Sequence, residues 1–524
     1  MGATTTPTTP AASTTTTTSG GSGSGAGNVL IPNRSIAHAG TALNGAGSSF
    51  AAPAIETFQK VVFNPPYGLN INYTSTSSGD GRYEFTNGTT DFAVSDIAYG
   101  LGGTDSSPPT FPYIYVPITA GGIAFMYNIP GLSKNLQLSS YSTCGILTGG
   151  ITNWNDSNIA KDNPGLSLPN LPIVPVTESD PAGTNYVLEE WCIAEQPALW
   201  AAFANKENAS NPPVVINATS PQSEWPPLAN GRDTTSTAAV TGNVSTTAGA
   251  IGGVQLKYAT DAGFGNGDPS KGVASELNAS NAYAQPSPVD VASALAYATQ
   301  LPNGTHQLNF NGVGVHVYNP STYSYLLSPA AGWSAAKGAT MSAFVNYTLT
   351  LGQQKSPSFG YASLGLSLER WGITEVTQDV PGAVAVTDAE KAGYACGDLT
   401  PSEVAAGQTT PTCGVLDPGS TPPIPPPSGA GSPSASAAAA AAARTAAAAA
   451  HAGGSGGGSG GGSGTGSGSG AAGVDPSVSL SGSGPLAFTG GDPRPVVLVG
   501  LFLLVTGWAT RRRLLRKRRM RGAQ

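Results

Sequence analysis

Gly45-Ala-Gly-Ser-Ser-Phe50, followed at once by Ala51-Ala-Pro-Ala-Ile-Glu-Thr-Phe-Gln-Lys60, is the stretch on which the fold is read. A strand-like approach ends in small residues. Apolar residues then recur at helical spacing, with Pro53 in the first turn, where a helix tolerates proline. A helix opening behind a Gly/Ser loop presents unsatisfied N–H groups and the positive end of its dipole, so such a loop can hold an anion. The same device recurs twice: Ser77-Ser78-Gly79 precedes Arg82-Tyr-Glu-Phe85, and Asp180-Pro-Ala-Gly-Thr184 precedes Asn185-Tyr-Val-Leu-Glu-Glu-Trp191. A hydroxyl before a helix also serves as a plain cap, and three together invite one explanation.

Outward from these loops, residues from about Leu30 to Val380 alternate strand-length apolar runs with helical stretches and turns, which predicts one or two α/β units. The 70 glycines and 43 prolines of the 524-residue chain are clustered in tails, at roughly twice average usage overall. Residues 1–27 read as a disordered Thr/Ser/Gly-rich tail. No charged or apolar leader follows Met1, so we expect the true start to lie elsewhere. Residues 381–416 form a cysteine-containing extension. Residues 417–485, beginning around Thr421-Pro-Pro-Ile-Pro-Pro-Pro427, read as a Pro/Ala/Gly/Ser stalk that reaches on the order of 45 Å as a random chain.

The net charge of −7 hides an asymmetry: nine of the 23 basic residues lie after Thr489, leaving 14 against 29 acids before it. An acidic body attracts neither nucleic acid nor an anionic membrane over distance, and an anion would have to be held by local geometry. The four histidines, His38, His306, His316 and His451, carry no partnered motif, and no nucleophile elbow, phosphate-binding Gly-Lys loop or zinc motif occurs. We expect a binding protein and no enzyme, with no cofactor and no metal. The four cysteines suit two disulfides or none. Cys396 and Cys413 bracket a short loop, whereas Cys144 and Cys192 meet only through the fold.

At the C-terminus, Leu486-Ala487-Phe488-Thr489-Gly490 precedes an apolar run from Val496 to about Thr510, then eight basic residues in the eleven positions Arg511–Arg521. This order resembles the cell-wall sorting signal of Gram-positive surface proteins, in its actinobacterial Leu-Ala-x-Thr-Gly variant. The resemblance implies a span and basic stop that hold the exported chain while a sortase joins Thr489 to peptidoglycan. An uncleaved membrane anchor is the alternative. Either places the folded part outside the cell.

The succession GAGSSFAAP (45–53), INYTSTSSGDGRYEF (71–85), GTTDFAVSD (88–96), GGIAFMYNIPG (121–131), ITNWNDSNIAKDNPGLSLPNLPIVPV (151–176) and SDPAGTNYV (179–187) resembles the phosphate-binding component of high-affinity phosphate ABC transporters. The likeness continues through Gly249-Ala-Ile-Gly-Gly253, Gly352-Gln-Gln-Lys355 and Gly360-Tyr-Ala-Ser-Leu364. It implies an α/β, two-lobed type II periplasmic-binding-protein fold over residues 40–380, with lobe 1 at about 40–118 and 306–380 and lobe 2 at about 119–305. Phosphate would sit between the lobes and pass to an ABC permease. By similarity, Ser49 and the Phe50 amide bind phosphate oxygens, Ser78 adds a hydroxyl, and Asp96 accepts a hydrogen bond from the ligand's proton, which rejects fully deprotonated oxyanions such as sulfate. Gly183 and Thr184 supply an amide and a hydroxyl, and Asp180 orients an arginine.

That arginine is absent. Glu178 stands in its place and Ala182 replaces a serine. At about 4 Å and an effective dielectric near 20, exchanging plus for minus moves an anion's energy by about 8 kcal/mol. Arg82 and Arg232 are the two cations available to compensate, with a surface or capping role the simpler alternative for each. Otherwise Glu178 is protonated, or it is an exposed acid of a degenerate binding fold used as a wall-displayed scaffold or for another small solute. Asp96 and Asp180 equally admit structural roles, as a buried acid and an Asx turn.

Overall fold

The computed structural model describes residues 41–102, 107–210, 215–385 and 398–410. The expected N-terminal tail, stalk, Cys396–Cys413 pairing and sorting signal lie outside the described residues.

β1 (Leu43–Gly47) leads through Ser48–Phe50 into α1 (Ala52–Phe63), with Pro53 in its first turn and Ala54, Ile55, Phe58 and Val62 buried at helical spacing. β2 (Ile71–Ser75), α2 (Ser78–Thr86) and β3 (Phe92–Ser95) follow. β1 pairs with both β2 and β3 in parallel. β4 (Tyr113–Asn128) is buried at all 16 positions, which explains its nearly unbroken apolar sequence: a strand covered on both faces shows no alternation.

After β4 come α3 (Ser140–Leu147), β5 (Val174–Glu178), α4 (Gly183–Glu195) and α5 (Pro197–Asn208). Next are β6 (Arg232–Thr234), α6 (Thr237–Thr246), β7 (Ala250–Gln255) and β8 (Lys271–Val273). The described elements needed here end with α7 (Pro288–Leu295), β9 (Ser321–Pro329), α8 (Ala335–Thr348) and α9 (Leu366–Asp379).

One curled nine-stranded sheet runs in the order β2-β1-β3-β9-β4-β7-β5-β6, with β8 also on β4. Its first half pairs β9 antiparallel with Tyr113–Gly122 of β4, and its second half pairs β7 antiparallel with Ile123–Tyr127. Thus β4 belongs to both halves. At the changeover Gly121 lies against the Phe50 ring and Gly122 against Val291 and Tyr318, where a Cβ would stand 3.0 and 2.8 Å from its nearest neighbours. This is the periplasmic-binding-protein-like α/β fold that the resemblance implies.

Each half has its own core. The first gathers Ile55, Phe58, Phe92, Val116, Leu326 and Phe344. The second gathers Phe125, Trp154, Trp191, Trp200, Trp225 and Ile251. Val291 and Leu295 of α7 pack into the first core, although they precede residue 305. Cys144 of α3 and Cys192 of α4 are bonded within the second, their Cα atoms 5.7 Å apart. Among the described residues no helix is long and apolar enough to cross a membrane.

Candidate functional site

In parallel α/β sheets ligands gather beyond the carboxyl ends of the strands, where loops run into helix N-termini. Ser48 and Ser49 follow β1, Ser77 and Ser78 follow β2, Asp96 follows β3, Glu178 ends β5, and Thr237 opens α6 just after β6. Topology alone therefore brings these groups to one rim.

Asp96 is the centre. Only 5% exposed, it accepts from Ser48 Oγ at 2.8 and 2.7 Å, from Ser78 Oγ at 3.0 Å and from Ser324 Oγ at 2.6 Å. Its carboxylate partners among the described residues are hydroxyls. Ser324 reaches it because Tyr325 of β9 pairs with Ser95. Burial raises the Asp96 pKa, while the three hydroxyls and nearby Arg82 pull it back.

The first loop is held from behind. Tyr73 donates to Ser48 O at 2.9 Å, Tyr258 to Ser49 O at 3.0 Å and Tyr361 to Phe50 O at 2.5 Å. In a trans peptide the next N–H points opposite to its carbonyl. Fixing the Ser48 and Ser49 carbonyls therefore aims the Ser49 and Phe50 amides away from those tyrosines.

Glu178 is 2% exposed, so it is not the exposed loop acid that one reading expected. Thr237 Oγ1 bonds its Oε1 at 2.6 Å, and Ser49 Oγ lies 2.9 Å from Thr237 Oγ1. Burial above all, then Asp180 and Asp96, pushes Glu178 up to about 7, against the pull of the Thr237 bond.

The third loop meets the other two directly. Gly79 N donates to Pro181 O at 2.9 Å. Gly183 lies so close to Asp96 that a Cβ would stand 2.4 Å from its Oδ2 and 2.8 Å from Ser78 Oγ, so only glycine fits. Asn185 ties the turn to β5 through Glu178 O at 2.8 Å and to Ser223 O at 3.0 Å. Ala182, where the family has a hydroxyl, caps α4 without a side-chain bond. Thr184 is 3% exposed and its hydroxyl has no hydrogen-bond partner among the described residues. A buried hydroxyl without a partner costs about 1–3 kcal/mol unless something fills the role.

The capping alternative can be checked hydroxyl by hydroxyl. Ser77, not Ser78, caps α2, and Ser48, not Ser49, accepts the Ala51 amide. Asp180 is half-buried with its pKa raised, by burial first and then by Asp80 and Glu224. The two arginines differ: Arg82 has no surface role, whereas Arg232 has the surface place that the simpler alternative gave it. Arg82 is fully buried, its Nη1 bonding Ser95 Oγ at 2.8 Å and Ile97 O at 2.9 Å. Arg232 is exposed on β6 and bonds Thr247 at 2.8 Å and Asn243 at 3.3 Å. Asp96 also borders a cleft of about 1140 Å³ whose lining includes Tyr186, Glu190, Tyr297, His306 and Tyr325 and, among the described residues, no lysine or arginine.

Sequence reasoning missed Ser48, Thr237 and Ser324. Thr237 had a legible signal: Thr234-Thr-Ser-Thr237 is a fourth hydroxyl-rich strand-to-helix loop. Ser324 lies mid-strand and had none.

A family model described as a PBP superfamily domain matches residues 8–350. Phosphate-binding protein PstS 2 of Mycobacterium tuberculosis is 33% identical over 168 residues, 31% of this chain and 45% of that protein. Phosphate-binding protein PstS of Xylella fastidiosa is 27% identical over 325 residues, 62% of this chain and 81% of that protein. The chain thus spans less than half of the first relative's length and most of the second's. Among solved structures, a phosphate-binding protein from Stenotrophomonas maltophilia superposes with a TM-score of 0.49 at 19% identity, covering 66% of this chain and 96% of that one.

Proposed function

We propose a function from one premise: the chain belongs to the PBP superfamily. It is a substrate-binding protein that captures inorganic phosphate at the rim of its strands and passes it to an ABC permease, without chemistry of its own. The observation that carries this reading is the Thr184 hydroxyl, buried without a partner among the described residues at the N-terminus of α4 and in the same loop as the Gly183–Asp96 contact. Phosphate oxygens would accept from it, from the Ser49 and Phe50 amides and from the N-terminal amides of α4, while the phosphate O–H donates a hydrogen bond to Asp96. The names of the relatives, all phosphate-binding proteins, support the same choice of ligand.

The protein works outside the cell. The order of motif, apolar run and basic tail from Leu486 to Arg521 supports attachment to peptidoglycan by a sortase, with the stalk giving the domain reach. Calorimetry of the full chain with phosphate and with sulfate at pH 6 tests the reading. Binding of phosphate and none of sulfate is expected. Silence with both, or equal heats, refutes it and turns the search to neutral or cationic solutes, the class that a carboxyl at position 178 would tolerate.

A further inference from the structure

The hydrogen-bond chain from Glu178 to Ser49 has two polarities. A hydroxyl has one proton to give, and an ionised carboxylate can only accept. With Glu178 ionised, Thr237 spends its proton on Oε1, so the 2.9 Å contact to Ser49 is made only if Ser49 donates. Ser49 then turns lone pairs alone toward any further partner, which repel an oxyanion. With Glu178 protonated the order reverses: the acid donates to Thr237, Thr237 donates to Ser49, and the Ser49 proton is released for an anion.

We propose that Glu178, acting through Thr237, sets whether Ser49 donates or accepts, and so makes anion capture in this cleft conditional on a proton held at Glu178. The inference rests on the phosphate reading and deepens it, because it names the protonation state in which the site takes its ligand. Both residues are positioning residues, acting on the ligand through Ser49.

Three features of the geometry carry it. Glu178, Thr237 and Ser49 are 2%, 0% and 4% exposed, so water cannot easily step in to supply a second proton. Glu178 is fixed as the last residue of β5, and Thr237 as the first of α6. The groups facing Glu178 do not hold it ionised. Asp180 on the following loop and Asp96 beyond β3 both raise its pKa. Tyr258, after β7, is itself pushed up partly by Glu178. On β6 the residue paired with Glu178 is the uncharged Thr234. Burial and these acids leave Glu178 titrating at about 7, so the switch falls where it can operate.

The test compares the full chain with Glu178→Gln, which is neutral at every pH and can donate through its amide. Taking the ratio of their phosphate dissociation constants cancels the titration of phosphate and of the shared groups. The ratio is expected to be flat below about pH 6 and to rise about tenfold per pH unit above 7. A flat ratio from pH 5.5 to 9 overturns the proposal. Thr237→Val separates the relay from simple repulsion: its own ratio to Glu178→Gln should lose most of that slope, and an undiminished slope would assign the effect to charge alone. A ligand-free measurement keeps this apart from the phosphate reading. Carbon-13 carboxyl NMR should place Glu178 near 7 and move it higher in Thr237→Val, which removes the bond that lowers it. A midpoint in the ordinary glutamate range, or one indifferent to Thr237, overturns the relay even if phosphate binds. Silence toward phosphate with the NMR result intact refutes the choice of ligand only.

Discussion

Replacing Glu178 by Gln is expected to change the pH dependence of stability by an amount fixed by the fold. A carboxyl titrating at about 7 in the folded chain and at 4.5 when exposed differs by about 2.5 units, or about 3 kcal/mol. Below 4.5 both states are protonated and Glu178 contributes nothing to the difference. Between 4.5 and 7 the unfolded chain loses its proton first, so the folded state loses relative stability as pH rises through this window. Above 7 the full cost of about 3 kcal/mol stands. Glutamine has no charge to bury, so Glu178→Gln should match the parent near pH 4 and exceed it by about 3 kcal/mol near pH 9. Urea unfolding at several pH values, in buffers free of phosphate, measures the difference directly. An offset between the two proteins that does not change with pH would refute the reasoning, because it would mean that Glu178 is ionised throughout or open to water.

Other substitutions separate binding from folding. Thr184→Val should leave stability unchanged or slightly higher, because it deletes a buried hydroxyl without a partner, yet weaken phosphate binding about tenfold; calorimetry and urea unfolding read the two effects. Gly183→Ala should keep the fold and abolish binding, since its methyl group would collide with Asp96; an unaltered affinity would show that this contact is not part of the bound state. Asp96→Asn should weaken phosphate and narrow the margin over sulfate, measured as the ratio of the two dissociation constants. Replacing Cys144 and Cys192 together by serine removes a crosslink with a sequence separation of 48, which loop-closure entropy values at about 4 kcal/mol; thermal unfolding should record the loss.

The fold was legible because one device is repeated. Each Gly/Ser loop between a strand and a helix marks a carboxyl strand end, and a parallel sheet collects such ends at one rim. Ser78 and Gly183 therefore meet Asp96, while Ser49 is bonded through Thr237 to Glu178. Ser324 was hidden because nothing in a buried strand distinguishes the serine that meets a carboxylate from one that meets a neighbouring residue. Arg82 misled in the opposite way. α2 buries Ser78, Gly79, Gly81, Arg82 and Phe85 and has little apolar surface, so a charged residue there reads as solvent-facing. Its guanidinium instead bonds Ser95 and the Ile97 carbonyl, at the end of the neighbouring strand β3, which the helix pattern of α2 does not reveal. Glu178 shows the same limit. As an isolated substitution for an arginine it reads as a lost site, whereas its place at the end of a buried strand makes it a carboxyl that titrates near neutrality.

The account is tested most directly by an experimental structure of the full chain grown with phosphate at pH 6. Tetrahedral density within hydrogen-bond reach of Ser49, the Phe50 amide, Asp96 and Thr184 Oγ1 is the predicted result. An empty rim, or density confined to the neighbouring cleft beside Glu190 and Tyr297, would contradict it.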